Sequence, residues 1–223
     1  QWIYNIIDEC NAMYADVTKS VDMNLEFVAA THAPDGNQLA EAGINRIHWP
    51  SSIVMSCDDF MADESVVKYV WDLENYINIF IYSFSEANVT GIAYLPYTVS
   101  SNALEGLGIG DIYLNEKNMS YPHCVSLNNQ FGYEAHPLSG KYEMTHTLAH
   151  ELGHYLGLFH VFYSDDNKDA TDYCADTQTY NLTDYYNWLE GLTETPTWEK
   201  VLQRTAPDGT TFTSDNIMDY DYS

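Results

Sequence analysis

The chain has 223 residues, enough for one domain with a full core. Thirty-three Asp and Glu against 8 Lys and Arg give a net charge of −25 with His neutral, which repels phosphate backbones and anionic lipid and argues against a nucleic-acid partner. Apolar residues at 45% and aromatics at 14% exclude a wholly disordered chain, and no apolar run approaches the roughly 18–20 residues of a membrane helix.

Along the chain, Trp2–Val17 places Ile3, Ile6, Ile7, Cys10, Met13 and Tyr14 at three- and four-residue steps, which predicts one apolar helical face. Asn24–Thr31 alternates and is rich in strand formers, and Pro34-Asp35-Gly36 reads as a turn. Ile44–Trp49 and Ser52–Ser56 have the look of short strands. Ser65–Glu74 predicts a helix feeding a strand at Ile77–Phe84, with further strands at Ile92–Leu95 and Asp111–Leu114. From Ser164 onward the sequence is polar and rich in Tyr and Asp, with little periodicity, and reads as irregular.

The four cysteines, Cys10, Cys57, Cys124 and Cys174, form no CxxC pair, which disfavours a zinc ribbon or a thioredoxin-type site. Two disulfides in an oxidising compartment are the expectation; buried free thiols are the alternative. The chain opens at Gln1 without an initiator Met, consistent with removal of a targeting segment. Sequons at Asn88, Asn118 and Asn181 decide nothing.

Chemistry concentrates in His146–His160, HTLAHELGHYLGLFH, where His150, Glu151, His154, Gly157 and His160 spell H-E-x-x-H-x-x-G-x-x-H. At about 3.6 residues per turn, His150 and His154 share one helical face and can reach one metal ion. Glu151 points past that ion and is placed to take a proton from the attacking water. Gly157 can adopt positive φ and end the helix, so that the chain turns back and brings His160 in as a third ligand. Leu148, Leu152, Leu156 and Leu158 are expected to form the buried side. Three imidazoles leave a fourth position open, the mark of a catalytic rather than a structural zinc site. His146 precedes His150 by four residues but lacks the intervening Glu and the third His, so a neighbouring role suits it better. His32, His48, His123 and His136 have no ligand spacing.

Far downstream lies Asn216-Ile217-Met218-Asp219-Tyr220. The long zinc motif followed by a Met in a tight turn resembles the metzincin metallopeptidases. The wording HELGHYLGLFH, DYCADT (Asp172–Thr177) and NIMDY is similar to the pappalysin branch, which includes ulilysin-like enzymes and bacterial cell-surface lipoproteins. Leu25–Ile47 is similar to the first strand and loop of that branch.

The resemblance implies an α+β metzincin fold as a single catalytic domain over residues 1–223. An upper lobe of about residues 1–157 would hold a twisted mixed sheet with a backing helix and the zinc helix. A small irregular lower lobe of about 158–223 would lie below a substrate cleft. It implies a secreted or cell-surface zinc endopeptidase, with a lipid anchor on a preceding N-terminal segment as one route to the surface, acting on protein or peptide substrates as a monomer. His150, His154 and His160 would hold zinc, Glu151 would be general base and Tyr220 a stabiliser of the tetrahedral intermediate, with Met218 as the floor.

The acidic Asp165–Asp169, which has no EF-hand spacing, reads as a solvated loop or, as the resemblance implies, as part of a calcium site in the lower lobe with Asp172 and Thr177 as candidate ligands, although Gln178 departs from the usual pattern. Cys124–Cys174 and Cys10–Cys57 are the expected pairs, and a latency role for the Cys10 thiolate is disfavoured. Asp111–Leu114 is the candidate edge strand for substrate, and Asp221 a candidate pocket acid. The alternative from another class is a catalytically silent zinc-containing binding module, against which the intact Glu151 argues.

Overall fold

A computed structural model describes residues 1–15, 22–49, 54–110, 123–132, 143–167 and 172–221. The apolar stripe at the start of the chain forms helix α1 (Trp2–Tyr14), which buries Ile6, Cys10 and Tyr14 along one face. Helix α2 (Cys57–Ala62) starts at Ser56, whose hydroxyl accepts the Asp59 N–H at 3.0 Å, and buries Phe60 and Met61. Strands β1 (Ile79–Tyr82), β2 (Gly91–Ala93) and β3 (Val125–Asn128) form a sheet in the order β1-β3-β2. β3 runs parallel to β1, with Ile79 opposite Val125, and antiparallel to β2, with Gly91 opposite Leu127.

Helix α3 (Glu143–Tyr155) carries the zinc motif and packs with α1 against one face of this sheet. Val125 and Leu127 of β3 meet Ile6, Cys10, Leu148 and Leu152 there. Fully burying an aliphatic side chain of this kind contributes about 1.5–3 kcal/mol. Two polar ties set the helix against its neighbour. The Tyr14 hydroxyl donates to the Ala149 carbonyl at 2.9 Å, and the Thr145 hydroxyl to Glu9 Oε2 at 2.7 Å. Period-2 alternation turns Ser126 and Asn128 to the opposite side. There Ser126 donates to Met61 Sδ at 3.0 Å, and Phe60, Met61, Val66 and Cys124 form a second cluster.

After α3 come short pieces. β4 (Phe162–Tyr163) pairs in parallel with β5 (Tyr180–Asn181); helices α4 (Leu182–Glu190) and α5 (Trp198–Val201) follow. A hairpin of β6 (Gln203–Thr205) and β7 (Thr211–Thr213) completes the described elements. Val161, Phe162, Tyr180, Tyr185 and Met218 form an apolar cluster of their own in this half of the chain.

Several expected elements take another form. Phe27, at the centre of the expected strand Asn24–Thr31, has both backbone groups bonded to the Asn11 side-chain amide, at 2.7 and 2.9 Å, in place of a ladder. Ile44–Trp49 is likewise irregular chain rather than strand. Ser65–Glu74 shortens to a 3₁₀ turn at Val67–Tyr69, because Asp63 and Asp72 side chains capture the N–H groups of Ser65 and Glu74. Ser52 and Ile53 and the expected strand Asp111–Leu114 lie outside the described residues.

The expected disulfides are corrected as well: all four cysteines are free thiols. Cys10 sits in the α1–α3 core and Cys124 in the cluster across the sheet, while the Cys57 thiol faces Glu86. Cys174 is exposed, with its backbone N–H donating to Asp172, so neither expected pair meets. Burial pushes the thiols of Cys10 and Cys124 up to about 12, which leaves them protonated and inert.

Candidate metal centre

α3 ends as its sequence dictates. Gly157 takes φ +103°, and the N–H groups of Gly157 and Leu158 turn back to the carbonyls of His154 and Gly153, both at 2.9 Å. The reversal carries His160 to the face that holds His150 and His154. The three imidazoles converge: His160 Nε2 lies 3.0 Å from Nε2 of His150 and 3.0 Å from Nε2 of His154. Leu148 and Leu152 are buried as expected, whereas Leu156 and Leu158 are exposed, because they fall in and beyond the last turn where the helix leaves the core.

The fit to a metal can be judged from the donors. His150 Nδ1 donates to the Ile217 carbonyl and His154 Nδ1 to the Leu158 carbonyl, both at 2.8 Å. A carbonyl can only accept, so each Nδ1 holds the proton and each Nε2 offers its lone pair. His160 Nε2 has at most one proton to give, so it cannot satisfy both neighbouring Nε2 lone pairs at 3.0 Å. Burial first, and then the neighbouring imidazoles, push His150 down to about 4 and His160 down to about 3; burial also lowers His154. Three neutral imidazoles so arranged repel one another unless a cation lies among them. Zinc, which binds imidazole nitrogen at about 2.0–2.1 Å in a tetrahedron, asks for nitrogens roughly 3.3 Å apart. The donor set fits that ion.

Glu151 is buried at 6% exposure beside this cluster. Burial raises its carboxyl to about 8, opposed by the Ala93 backbone N–H that donates to it. A positive charge among the imidazoles would bring that value down. Met218 is buried beneath α3, its sulfur filling the room that a Cβ on Gly153 would need. The turn that presents it is built by Asn216, whose side chain accepts the Met218 N–H and whose carbonyl accepts the Asp219 N–H, both at 2.9 Å. The Tyr220 ring stands 5.8 Å from His150 and 5.1 Å from His160, centroid to centroid, and is half exposed.

The remaining candidates lie elsewhere. Among the described residues only His150, His154 and His160 gather as a group of three or more metal donors; His146 is half-buried outside it. His32 and His48 are exposed, and His123 stacks on Tyr155 at 4.4 Å; His136 lies outside the described residues. Asp172 caps the Cys174 N–H, and Thr177 follows in the same turn, an arrangement that gives the calcium expectation no support. Asp221 follows Tyr220 and gives its carbonyl to Arg204 at 2.8 Å. Sequence reasoning missed Arg204 and Asp219, which lie buried under the Met218 turn, and Gly91, which lies against Glu151. A signal existed for Gly91: an isolated glycine in a strand marks close approach.

The fold is an α+β metzincin fold. It superposes on mature mirolysin of Tannerella forsythia, solved in complex with a cleaved peptide, with a TM-score of 0.56 and 22% identity, over 81% of this chain and 66% of that one. The chain belongs to the pappalysin family of peptidases: residues 60–136 and 133–223 match the family model described as pregnancy-associated plasma protein-A. An extracellular metalloprotease of Colletotrichum graminicola is 27% identical over 158 residues, covering 71% of this chain and 49% of that protein. Human pappalysin-1 is 31% identical over 108 residues, 48% of this chain and 5% of its own length. The chain thus spans about half the fungal relative and a small part of pappalysin-1.

Proposed function

We propose that the chain is a single catalytic domain, with an upper lobe over about 1–157 and a lower lobe over about 158–223, that hydrolyses peptide bonds as a zinc endopeptidase outside the cell. The observation that carries this reading is the convergence of His150, His154 and His160 beside a buried carboxylate. Family membership supports a metallopeptidase, and the name of the fungal relative supports an extracellular one.

His150, His154 and His160 would hold the ion. Zinc, when bound, supplies a Lewis acid that polarises the scissile carbonyl and makes water nucleophilic near neutral pH. Glu151 accepts the proton from the attacking water and then passes it to the departing amine; such general-base help is worth about 10²–10⁴-fold. The Tyr220 hydroxyl donates to the oxygen that gathers negative charge in the tetrahedral intermediate. The substrate backbone pairs with the edge of β2 away from β3, which no strand among the described residues occupies; the Ala93 N–H of β2 bonds Glu151, which puts that carboxylate beside the strand.

The test is cleavage of denatured protein with and without a zinc chelator, followed by zinc re-addition. Cleavage that stops on chelation and returns with zinc is expected. A zinc-loaded chain that binds peptides and cleaves none contradicts the reading and favours a binding module.

A further inference from the structure

The Arg204 guanidinium, from β6, is fully buried and bonded on several sides. Its Nε donates to Asp219 Oδ2 at 3.0 Å, Nη2 to the Asp221 carbonyl at 2.8 Å and Nη1 to the Val201 carbonyl at 2.6 Å. Its cationic carbon lies 4.1 Å from the Tyr185 ring centroid and 5.0 Å from that of Tyr180. Asp219 is buried just as deeply. It accepts the Tyr180 and Ser214 hydroxyls, each at 2.6 Å, and the Tyr220 backbone N–H at 2.7 Å. One side chain therefore grips the residues on both sides of Tyr220, and the carboxylate it holds grips Tyr220 itself.

A buried ion pair is a weak device for stability alone, because desolvation cancels much of its attraction and apolar residues of similar volume fill the space as well. What the pair adds here is direction. The fork of the guanidinium fixes the Asp219 carboxylate and the Asp221 carbonyl at once, and the turn they belong to carries two groups aimed at the three-histidine cluster. The Ile217 carbonyl orients His150, and the Tyr220 ring faces His150 and His160.

We propose that Arg204 and Asp219 are positioning residues, holding the Ile217–Tyr220 turn so that the Ile217 carbonyl orients His150 and Tyr220 stands over the reacting centre. The inference rests on the metallopeptidase reading of that centre. A lysine at 204 keeps the charge and loses the fork, so it separates positioning from charge balance.

The experiment compares wild type, Arg204→Lys, Tyr220→Phe and the double variant. Zinc affinity is read by competition with a chromogenic chelator, and kcat and KM are read at saturating zinc on a peptide that wild type cleaves. In Arg204→Lys, zinc affinity and kcat each fall about tenfold or more while KM stays within about twofold. In the Tyr220→Phe background the same substitution changes kcat by less than about twofold, since no hydroxyl is left to misplace. Zinc affinity and kcat both unchanged in folded Arg204→Lys overturn the proposal, and so do kcat losses that simply multiply in the double variant. Should Arg204→Lys fail to fold, Ser214→Ala removes one donor from Asp219 and is judged by the same readouts. A wild type that binds zinc and cleaves nothing defeats the peptidase reading instead, and the zinc arm still judges the positioning pair.

Discussion

Gly91 lies so close to Glu151 that a Cβ on it would stand 2.9 Å from Glu151 Cγ and 3.1 Å from Oε1, with Thr147 Cγ2 at 2.6 Å. The contact joins β2 to α3 at the one side chain proposed to move protons. β2 can lie flat on α3 only because position 91 has no side chain, and that approach lets the Ala93 N–H reach the Glu151 carboxylate. Gly91→Ala is expected to displace Glu151 and to lower kcat by about 10²-fold, the scale of a misplaced reacting group, while zinc stays bound. Steady-state kinetics with metal analysis on the same sample check this; an unchanged kcat would show that the strand does not set the carboxylate.

A second close approach sits beneath the metal centre, where Met218 fills the space under Gly153. Gly153→Ala gains about 1 kcal/mol in helix propensity but forces an overpacked contact costing about 1–3 kcal/mol, so a net loss of stability is expected. Met218→Ala empties the space and costs about 2–5 kcal/mol. The double variant is expected to lose less than the sum, because the new methyl enters the cavity the second change opens. Urea unfolding of the four proteins measures this, and strict additivity would mean that the two residues do not share the space.

Metal-free protein is expected to lose stability in acid through this same cluster. His150 and His160 have folded-state values of about 4 and about 3, pushed down by burial, against about 6.5 in the unfolded chain. As pH falls, the unfolded chain takes up protons first. The contribution is therefore intact above about pH 6.5 and is lost progressively toward about pH 3. Thermal melts of chelator-treated protein across this window, beside a His150→Asn/His160→Asn variant, isolate it. The wild-type midpoint should fall more steeply than the variant's; parallel curves would mean that these imidazoles are not buried neutral.

The sequence announced the clustering of three histidines far better than the sheet around it. His150, His154, Gly157 and His160 were legible because their roles follow from local rules, helical spacing and one glycine-permitted turn, which hold whatever lies around them. β3 was not, because Val125-Ser126-Leu127-Asn128 is buried on both faces and its polar residues are satisfied by distant partners. Asn128, for one, bonds Val89 and Phe84. The expected strand Asn24–Thr31 failed for the converse reason: its composition suits a ladder, but a single side chain, Asn11, claims the backbone of Phe27. Arg204 was invisible because burial of a charge depends on partners 15 residues away and more, which no periodicity records.

In the proposed mechanism three imidazoles hold an ion beside a carboxylate that carries protons for hydrolysis. The direct measurement is peptide hydrolysis by zinc-loaded Glu151→Gln, which preserves shape and removes the base. The variant should bind zinc as wild type does and lose about three or more orders of magnitude in kcat. Hydrolysis at the wild-type rate, with zinc in place and chelation still abolishing it, would contradict the assignment of Glu151 and with it the mechanism.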